Sequence, residues 1–165
     1  TENNKALDLL LYGMVWCRVN FWEIFMLKNI LLGAALTVMA VPALADGDAA
    51  EGEKAFNKQC VACHVVADAD GKVLAGRNAK IGPNLYGVIG RAPGSIDFKY
   101  GKSIVEWGET GAVWNQETFV GYVQNPTGYL REVLDSKRAR GKMAYKVKSE
   151  EDAQNLYAYL TTFSQ

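Results

Sequence analysis

The chain has 165 residues, a length that suits one domain or one domain with an appendage. Its 18 Lys and Arg residues balance 18 Asp and Glu residues, so the formal net charge is zero and the bulk charge favours no acidic or nucleic-acid partner. The composition is that of an ordinary globular protein, which excludes low-complexity and repeat architectures.

Residues 26–45 have the pattern of a secretory signal peptide. Lys28 provides a basic start, residues 30–41 are an apolar core, and Ala43-Leu44-Ala45 is a small-residue cleavage signal. We expect cleavage after Ala45, which leaves residues 1–25 as a doubtful upstream segment and residues 46–165 as the working domain. The alternative is an uncleaved membrane anchor, although the apolar core is short for a span of about 20 residues. Both alternatives place the domain outside the cytoplasm.

The first predicted helix of this domain runs from about Ala49 to Gln59. Asp48 and Glu51 resemble a capping box, in which each side chain accepts a backbone hydrogen bond at the helix start. Helical spacing places three residues on one face: Gly52, Ala55 and Phe56.

This helix leads directly into Cys60-Val61-Ala62-Cys63-His64, the attachment signature of a c-type haem. Two thiols at this spacing can form thioethers with two vinyl groups of a porphyrin, and the next residue presents its imidazole to the iron. A thioredoxin-like pair would not need the histidine. A zinc site would need more ligands, and His64 is the chain's one histidine. We therefore predict one haem c, attached through Cys60 and Cys63.

The histidine count also limits the second axial ligand of the iron. Bis-histidine ligation is excluded, and methionine is the usual neutral alternative. Three of the four methionines precede the predicted cleavage site, which leaves Met143. An open sixth position and ligation by Lys142 are the alternatives. The metal ligands are thus predicted to be His64 and Met143.

The segment after the haem motif is predicted to be an irregular loop up to Gly82, with a turn over residues 68–71. Its basic residues are expected to be solvated: Lys72, Arg77 and Lys80. Pro83 follows Gly82 and has a free carbonyl, which could accept the Nδ1 proton of His64 and set the tautomer of the ring. A plain loop proline is the alternative.

Further helices are predicted towards the end of the chain. Residues 102–107 form a short helix, and Asn115 caps another that runs from Thr118 to Gln124 and stops at Pro126.

Ser149 and the acidic residues after it begin a last helix. Its core face carries Ala153, Leu156, Tyr157 and Leu160. This face is expected to pack against Gly52 and Phe56, with the glycine allowing a close approach.

Seven motifs occur in the order found in class I cytochromes c. They are CVACH (60–64), GPNLYGVIGR (82–91), DFKYG (97–101), Trp114, YVQNP (122–126), GKMAYK (141–146) and LYAYL (156–160). The chain resembles this family over essentially all of residues 46–165, and cytochrome c2 of purple photosynthetic bacteria in particular. The resemblance implies an all-α class I cytochrome c fold, with a few helices and long loops around one haem. It also predicts that residues 127–143 are the extended loop of the larger cytochromes c2. Tyr145 departs from the pattern, since phenylalanine is common there.

The same resemblance implies roles for site residues. His64 and Met143 would be the axial ligands, and Pro83 the carbonyl partner of His64. The other cofactor-binding residues would be Arg91, Tyr100 and Trp114 around the haem propionates, and Tyr122 near the axial sulfur. Negatively charged propionates in a partly buried site need hydrogen-bond donors, which a guanidinium, a phenol and an indole provide.

The basic residues near Met143 form a run without acids between Asp135 and Glu150. We expect five of them to dock acidic partners: Lys137, Arg138, Arg140, Lys142 and Lys146. The resemblance implies a monomeric periplasmic electron carrier between the cytochrome bc1 complex and the photosynthetic reaction centre or a cytochrome oxidase. It would be no enzyme and would touch the membrane only peripherally. A gas-binding or sensing haem with an open sixth position, and a peroxidase, are the alternatives.

Overall fold

The computed structural model describes residues 47–164, so the predicted upstream segment and signal peptide lie outside the described residues. Five helices and one two-stranded sheet occur within that range. In chain order they are α1 (Ala49–Gln59), β1 (Val65–Ala67), β2 (Val73–Gly76), α2 (Lys102–Glu109), α3 (Gln116–Gln124), α4 (Pro126–Val133) and α5 (Glu150–Thr161). None of these helices is long and apolar enough to cross a membrane.

Helices α1 and α5 pack closely, as the sequence predicted. A Cβ atom at Gly52 would overlap the carbonyl oxygen of Asn155 and lie 2.7 Å from Cβ of Tyr159. The rings of Phe56 and Tyr159 meet with centroids 5.6 Å apart. The glycine therefore lets the two helix backbones approach nearly to contact, and Phe56, which is fully buried, fills the space beside it.

The predicted capping box at the start of α1 is only half correct. The Asp48 carboxylate accepts hydrogen bonds from the amides of Ala50 and Glu51, at 2.7 and 3.1 Å. The Asp48 amide, however, donates to Oδ1 of Asn155 in α5, at 2.7 Å. Glu51 forms an ion pair with Lys54 at 2.7 Å. A tertiary contact thus takes the place of the local bond.

The segment predicted to be an irregular loop contains an antiparallel hairpin. Strand β1 pairs with β2, with Val65 opposite Gly76 and Val66 opposite Ala75. The turn between them was predicted, and Asp68 stabilises it by accepting from the amides of Asp70 and Lys72. The three basic residues expected to be solvated are exposed. The strands were missed because they are only three and four residues long, with β2 exposed at its start.

Pro126 ends α3 but also begins α4, so the predicted extended loop is wrong in its first half. Asn115 caps α3 with a complete capping box: its side chain accepts from the Thr118 amide, and its own amide donates to Oγ1 of Thr118, both at 2.9 Å. The helix that follows has proline in its first turn, where a missing N–H costs nothing and the fixed φ is already helical. Its Leu130 is fully buried and anchors the helix to the core.

The core is a single cluster that draws on all five helices and on β1. The largest fully buried side chains among residues 47–164 are Phe56, Val66, Pro126, Leu130, Leu156 and Leu160. An aromatic group extends the core towards α2 and α4. The ring of Trp107 lies 5.0 Å from Trp114, 6.4 Å from Tyr122 and 5.2 Å from Tyr129, measured between centroids.

Candidate haem site

The two cysteines and the histidine lie in one tight turn at the end of α1. The Cys60 amide still donates to the Phe56 carbonyl at 2.9 Å, so Cys60 is the C-cap of the helix. The amides of Cys63 and His64 then both donate to the Cys60 carbonyl, at 3.0 and 2.9 Å. These local bonds bring the two cysteines and the histidine into one turn of the backbone.

Within residues 47–164, Cys60 and Cys63 are free thiols, and both are partly buried. Burial, with a smaller contribution from the neighbouring Cys63, raises the pKa of the Cys60 thiol to about 12. Cys60 is therefore a neutral thiol in the folded protein without a bound group. A thioether has no ionisable proton, so after attachment to a porphyrin Cys60 has no charged form that burial could disfavour.

The orientation of His64 is fixed by the loop that follows the hairpin. Nδ1 lies 3.0 Å from the Pro83 carbonyl oxygen, and because a carbonyl can only accept, Nδ1 carries the proton. Nε2 then keeps its lone pair and can bind a metal. Burial lowers the pKa of His64, an effect that the Pro83 bond partly opposes, so the ring is neutral at physiological pH.

Gly82 is a site residue that the sequence analysis missed. Its amide donates to the Cys63 carbonyl at 2.7 Å. A Cβ atom on this residue would overlap Cε1 of the His64 ring and lie 2.6 Å from Nδ1 and 2.8 Å from Nε2. The imidazole therefore rests directly on the glycine backbone. The Gly-Pro pair in the sequence was the available signal, but only its proline was interpreted.

The Arg91 side chain also stabilises the loop that follows the hairpin. Its guanidinium donates to the carbonyls of Tyr86, at 2.8 Å, and Asn84, at 3.2 Å. The Asn84 side chain in turn bonds both the amide and the carbonyl of Ala67 in β1, at 3.0 and 2.7 Å. Burial lowers the pKa of Arg91, with nearby Tyr100 opposing the shift. Since a guanidinium has five N–H donors, donors remain for an anionic group.

Arg91 and Trp114 are joined through their backbones. The Trp114 amide donates to the Arg91 carbonyl at 3.0 Å. The ring of Trp114 packs on the rings of Trp107 and Tyr122, with centroids 5.0 Å from each. Burial raises the pKa of the Tyr100 phenol, and the positive charge of Arg91 partly opposes that shift.

Tyr122 lies deeper, in α3, with its ring packed on Trp107 and Trp114. It is 7% exposed. Burial, with a contribution from Tyr100, raises the pKa of its phenol to about 12. The hydroxyl therefore stays protonated over the whole physiological range and can donate a hydrogen bond.

Met143 is partly buried and packs against the core, in a loop that hydrogen bonds hold on both sides. The Gly141 amide donates to Oγ1 of Thr127 at 3.1 Å. The Val147 amide donates to the Val123 carbonyl at 2.9 Å. These bonds tie the loop to α3 and α4 and hold the thioether close to the core.

Lys142, the alternative ligand, is engaged elsewhere. Its Nζ donates to the Lys99 carbonyl at 2.8 Å. Its aliphatic stem lies against Gly101, where an added Cβ would be 3.2 Å from Cγ. Its ammonium group is thereby held in the loop before α2.

The residues of the turn suit one covalently attached haem: two thiols for thioethers, and an imidazole whose Nε2 is free to bind iron. Within residues 47–164, no group of three or more His, Cys, Asp and Glu side chains is arranged to hold a metal ion.

Comparison with known proteins gives a consistent result. The family model for cytochrome c matches residues 49–164. The chain is 57% identical over 117 residues to cytochrome c2 of Rhodovulum adriaticum, which covers 70% of this chain and 92% of that protein. It is 52% identical over 132 residues to cytochrome c2 of Cereibacter sphaeroides, covering 78% and 90%.

Solved structures agree. The crystal structure of cytochrome c2 from Rhodobacter sphaeroides superposes with a TM-score of 0.69 and 51% sequence identity, over 72% of this chain and 97% of that one. The predicted class I fold and the predicted haem c are thereby confirmed.

Proposed function

The chain belongs to the cytochrome c family, whose members carry electrons, and we propose that it is a periplasmic carrier that takes single electrons from the cytochrome bc1 complex to a photosynthetic reaction centre or a terminal oxidase. The observation that carries this proposal is the geometry of His64. Two thiols precede it in one turn, and the Pro83 carbonyl accepts its Nδ1 proton, which leaves Nε2 as a ligand of fixed direction.

We assign the axial positions to His64 and Met143. A haem iron held by these two residues supplies a one-electron centre that can change between ferrous and ferric states without changing ligands. The protein's part is to keep both ligands in place. Pro83 does this for His64, and the bonds of Gly141 and Val147 do it for the Met143 loop.

Around the cofactor, Arg91, Tyr100 and Trp114 are proposed to donate to the propionates. Such carboxylates would otherwise lose hydration without compensation. Tyr122 is proposed to act near the axial sulfur, where its neutral phenol can donate. These four residues stabilise charge and orientation and take no part in bond making, so we propose an electron carrier that is not an enzyme.

The partner-binding surface in this proposal is the basic run next to Met143. All five predicted docking residues are exposed, as is Lys148. No acid lies between Asp135 and Glu150 to neutralise them. Lys142 differs from the others because its hydrogen bond to Lys99 fixes where its charge lies. Such a surface attracts an acidic partner over a Debye length of about 8–10 Å, which raises the encounter rate more than the affinity.

Flash oxidation tests the acceptor. Reduced, haem-loaded protein is mixed with reaction-centre membranes, and haem oxidation is followed after a flash at low and at high salt. We expect fast oxidation that slows as salt rises. A Lys146→Glu variant should be slower at low salt and approach the wild type at high salt. Absence of flash oxidation would move the proposal to an oxidase, and equal rates for the variant at every salt concentration would exclude this docking surface.

Carbon monoxide and peroxide test the remaining alternatives. If Met143 occupies the sixth position, the reduced protein shows little spectral change when carbon monoxide is added. A rapid change would indicate an open, gas-binding site. Sustained turnover of an electron donor with peroxide would indicate a peroxidase and contradict the proposal that the protein is a carrier alone.

The periplasmic location depends on residues 26–45, which we propose are a signal peptide cleaved after Ala45, and on the need to attach haem outside the cytoplasm. We further propose that the carrier is a monomer that meets membranes only through its partners. Mass spectrometry and fractionation of the native protein test both points. A protein that retains residues 26–45 and sediments with membranes would favour the anchored alternative.

A further inference from the structure

Between its two fixed ends, the loop that carries Met143 has one more tether. Within residues 47–164, the Tyr145 hydroxyl makes the one hydrogen bond from positions 143–146. It donates to Oε1 of Gln59 at 3.0 Å. The Tyr145 side chain is 47% exposed, so burial alone does not fix it. The hydroxyl reaches across 86 positions of sequence to the last residue of α1, directly before Cys60.

Gln59 is itself held by the start of α5. Its Nε2 donates to Oδ2 of Asp152 at 3.0 Å. Because an ionised carboxylate can only accept, this bond turns the amide nitrogen of Gln59 to Asp152 and the amide oxygen to Tyr145. Asp152 is fixed in the first turn of α5, where its amide donates to Oγ of Ser149 at 3.3 Å. The three side chains thus form a chain of hydrogen bonds with one consistent direction.

We propose that Tyr145, Gln59 and Asp152 form a latch that keeps the Met143 loop closed over the haem site and limits how often the sixth position becomes accessible. This inference rests on the proposed ligation by Met143. The latch joins three segments that must keep their relative positions if both axial ligands are to stay bound: the end of α1, the Met143 loop and the start of α5. Tyr145 is therefore a positioning residue, which acts on the ligand loop through Gln59.

The latch predicts a specific effect of Tyr145→Phe, which keeps the ring and removes the hydroxyl. Added imidazole serves as the probe, because it binds ferric haem only when the methionine has left. We expect Tyr145→Phe to increase the apparent imidazole affinity and the loop-opening rate by about two- to tenfold, the effect of one net hydrogen bond. Tyr86→Phe, which removes a hydroxyl from another exposed tyrosine, is the matched control and should leave both quantities unchanged.

A second variant tests the chain of bonds rather than the tyrosine alone. Asp152→Ala frees the Gln59 amide to rotate, so Tyr145→Phe should have a smaller effect in that background than in the wild type. Fully additive effects on imidazole binding would show that the two side chains act independently and would overturn the latch. Far-ultraviolet circular dichroism of each variant checks that α5 remains folded.

The outcomes separate this inference from the proposed function. If the wild-type protein binds carbon monoxide rapidly when reduced, the sixth position is open, and both the proposed ligation and the latch are wrong. If the wild type is closed to carbon monoxide but Tyr145→Phe binds imidazole as the wild type does, the carrier proposal stands and the latch alone is refuted. A wild type that is closed to carbon monoxide, together with a Tyr145→Phe variant that opens faster, supports both the proposed ligation and the latch.

Discussion

Replacing Gly82 with alanine tests how tightly the histidine is seated. The new methyl group would overlap Cε1 of the His64 ring and lie 2.6 Å from Nδ1. The backbone has little room to retreat, because the Gly82 amide is bonded to the Cys63 carbonyl at 2.7 Å and Pro83, which follows, has a fixed φ. The ring must therefore move, and the bond from Nδ1 to the Pro83 carbonyl lengthens or breaks.

The size of the effect follows from two contributions. Forcing a methyl group into a filled site costs about 1–3 kcal/mol. Losing one hydrogen bond adds about 0.5–1.5 kcal/mol. We expect the haem-loaded Gly82→Ala protein to be less stable than the wild type by about 2–4 kcal/mol, with a lower yield of haem-loaded protein on expression.

Guanidinium unfolding, followed by haem absorbance and by circular dichroism, measures this difference. Gly101→Ala is a suitable control, since the added Cβ meets the flexible side chain of Lys142 at 3.2 Å and no backbone atom. Because Gly101 is the N-cap of α2, where alanine is the poorer residue, the control should lose no more than about 1 kcal/mol, less than Gly82→Ala. A Gly82→Ala protein with the wild-type midpoint and an unchanged slope would refute the view that the imidazole rests on this glycine.

Three further predictions concern stability. Gly52→Ala should destabilise the protein by about 1–3 kcal/mol in denaturant unfolding, because its Cβ would overlap the Asn155 carbonyl. This loss is expected even though alanine favours helices, and equal stability would contradict the close packing. Because burial raises the pKa of Tyr122 from 10.0 to about 12, the folded state resists its ionisation. Raising the pH from about 10 to about 12 should therefore lower the free energy of unfolding of the wild type by up to about 3 kcal/mol more than that of Tyr122→Phe. Parallel pH profiles for the two proteins would refute this. A Cys60→Ala, Cys63→Ala variant, which cannot attach haem, should give a weak helical circular dichroism signal, and a native spectrum would show that the chain folds without haem.

The sequence predicted best what local patterns determine. Helix α1 was predicted over its observed range because Asp48 caps it and Gly52, Ala55 and Phe56 repeat on one face. The core face of α5 was recognised in the same way for Ala153, Leu156 and Leu160, but the tyrosine that is buried against Phe56 is Tyr159 and not the predicted Tyr157. The Cys60–His64 turn was also predictable, since its chemistry is carried by five consecutive residues.

Features that depend on distant partners were not predictable. The Asp48 amide bonds Asn155, 107 positions away, and no local pattern shows that this contact replaces the second half of a capping box. Lys142 looked like a free docking charge, yet its ammonium group is held by the Lys99 carbonyl. Pro126 was interpreted as a stop, although a proline is equally suited to start the helix that follows. In these places, contacts between distant parts of the chain decided between local interpretations that the sequence alone could not distinguish.

The α1–α5 contact also has a consequence for the order of events during biosynthesis. The two helices lie near opposite ends of the domain, and α1, with eleven residues, is marginal alone in water. As the chain is made, α1 has no partner until the last helix follows, so the core cannot close on an incomplete chain. Cys60 and Cys63, which follow α1 directly, thus stay accessible until the chain is complete, and the closed domain then partly buries the turn that holds them.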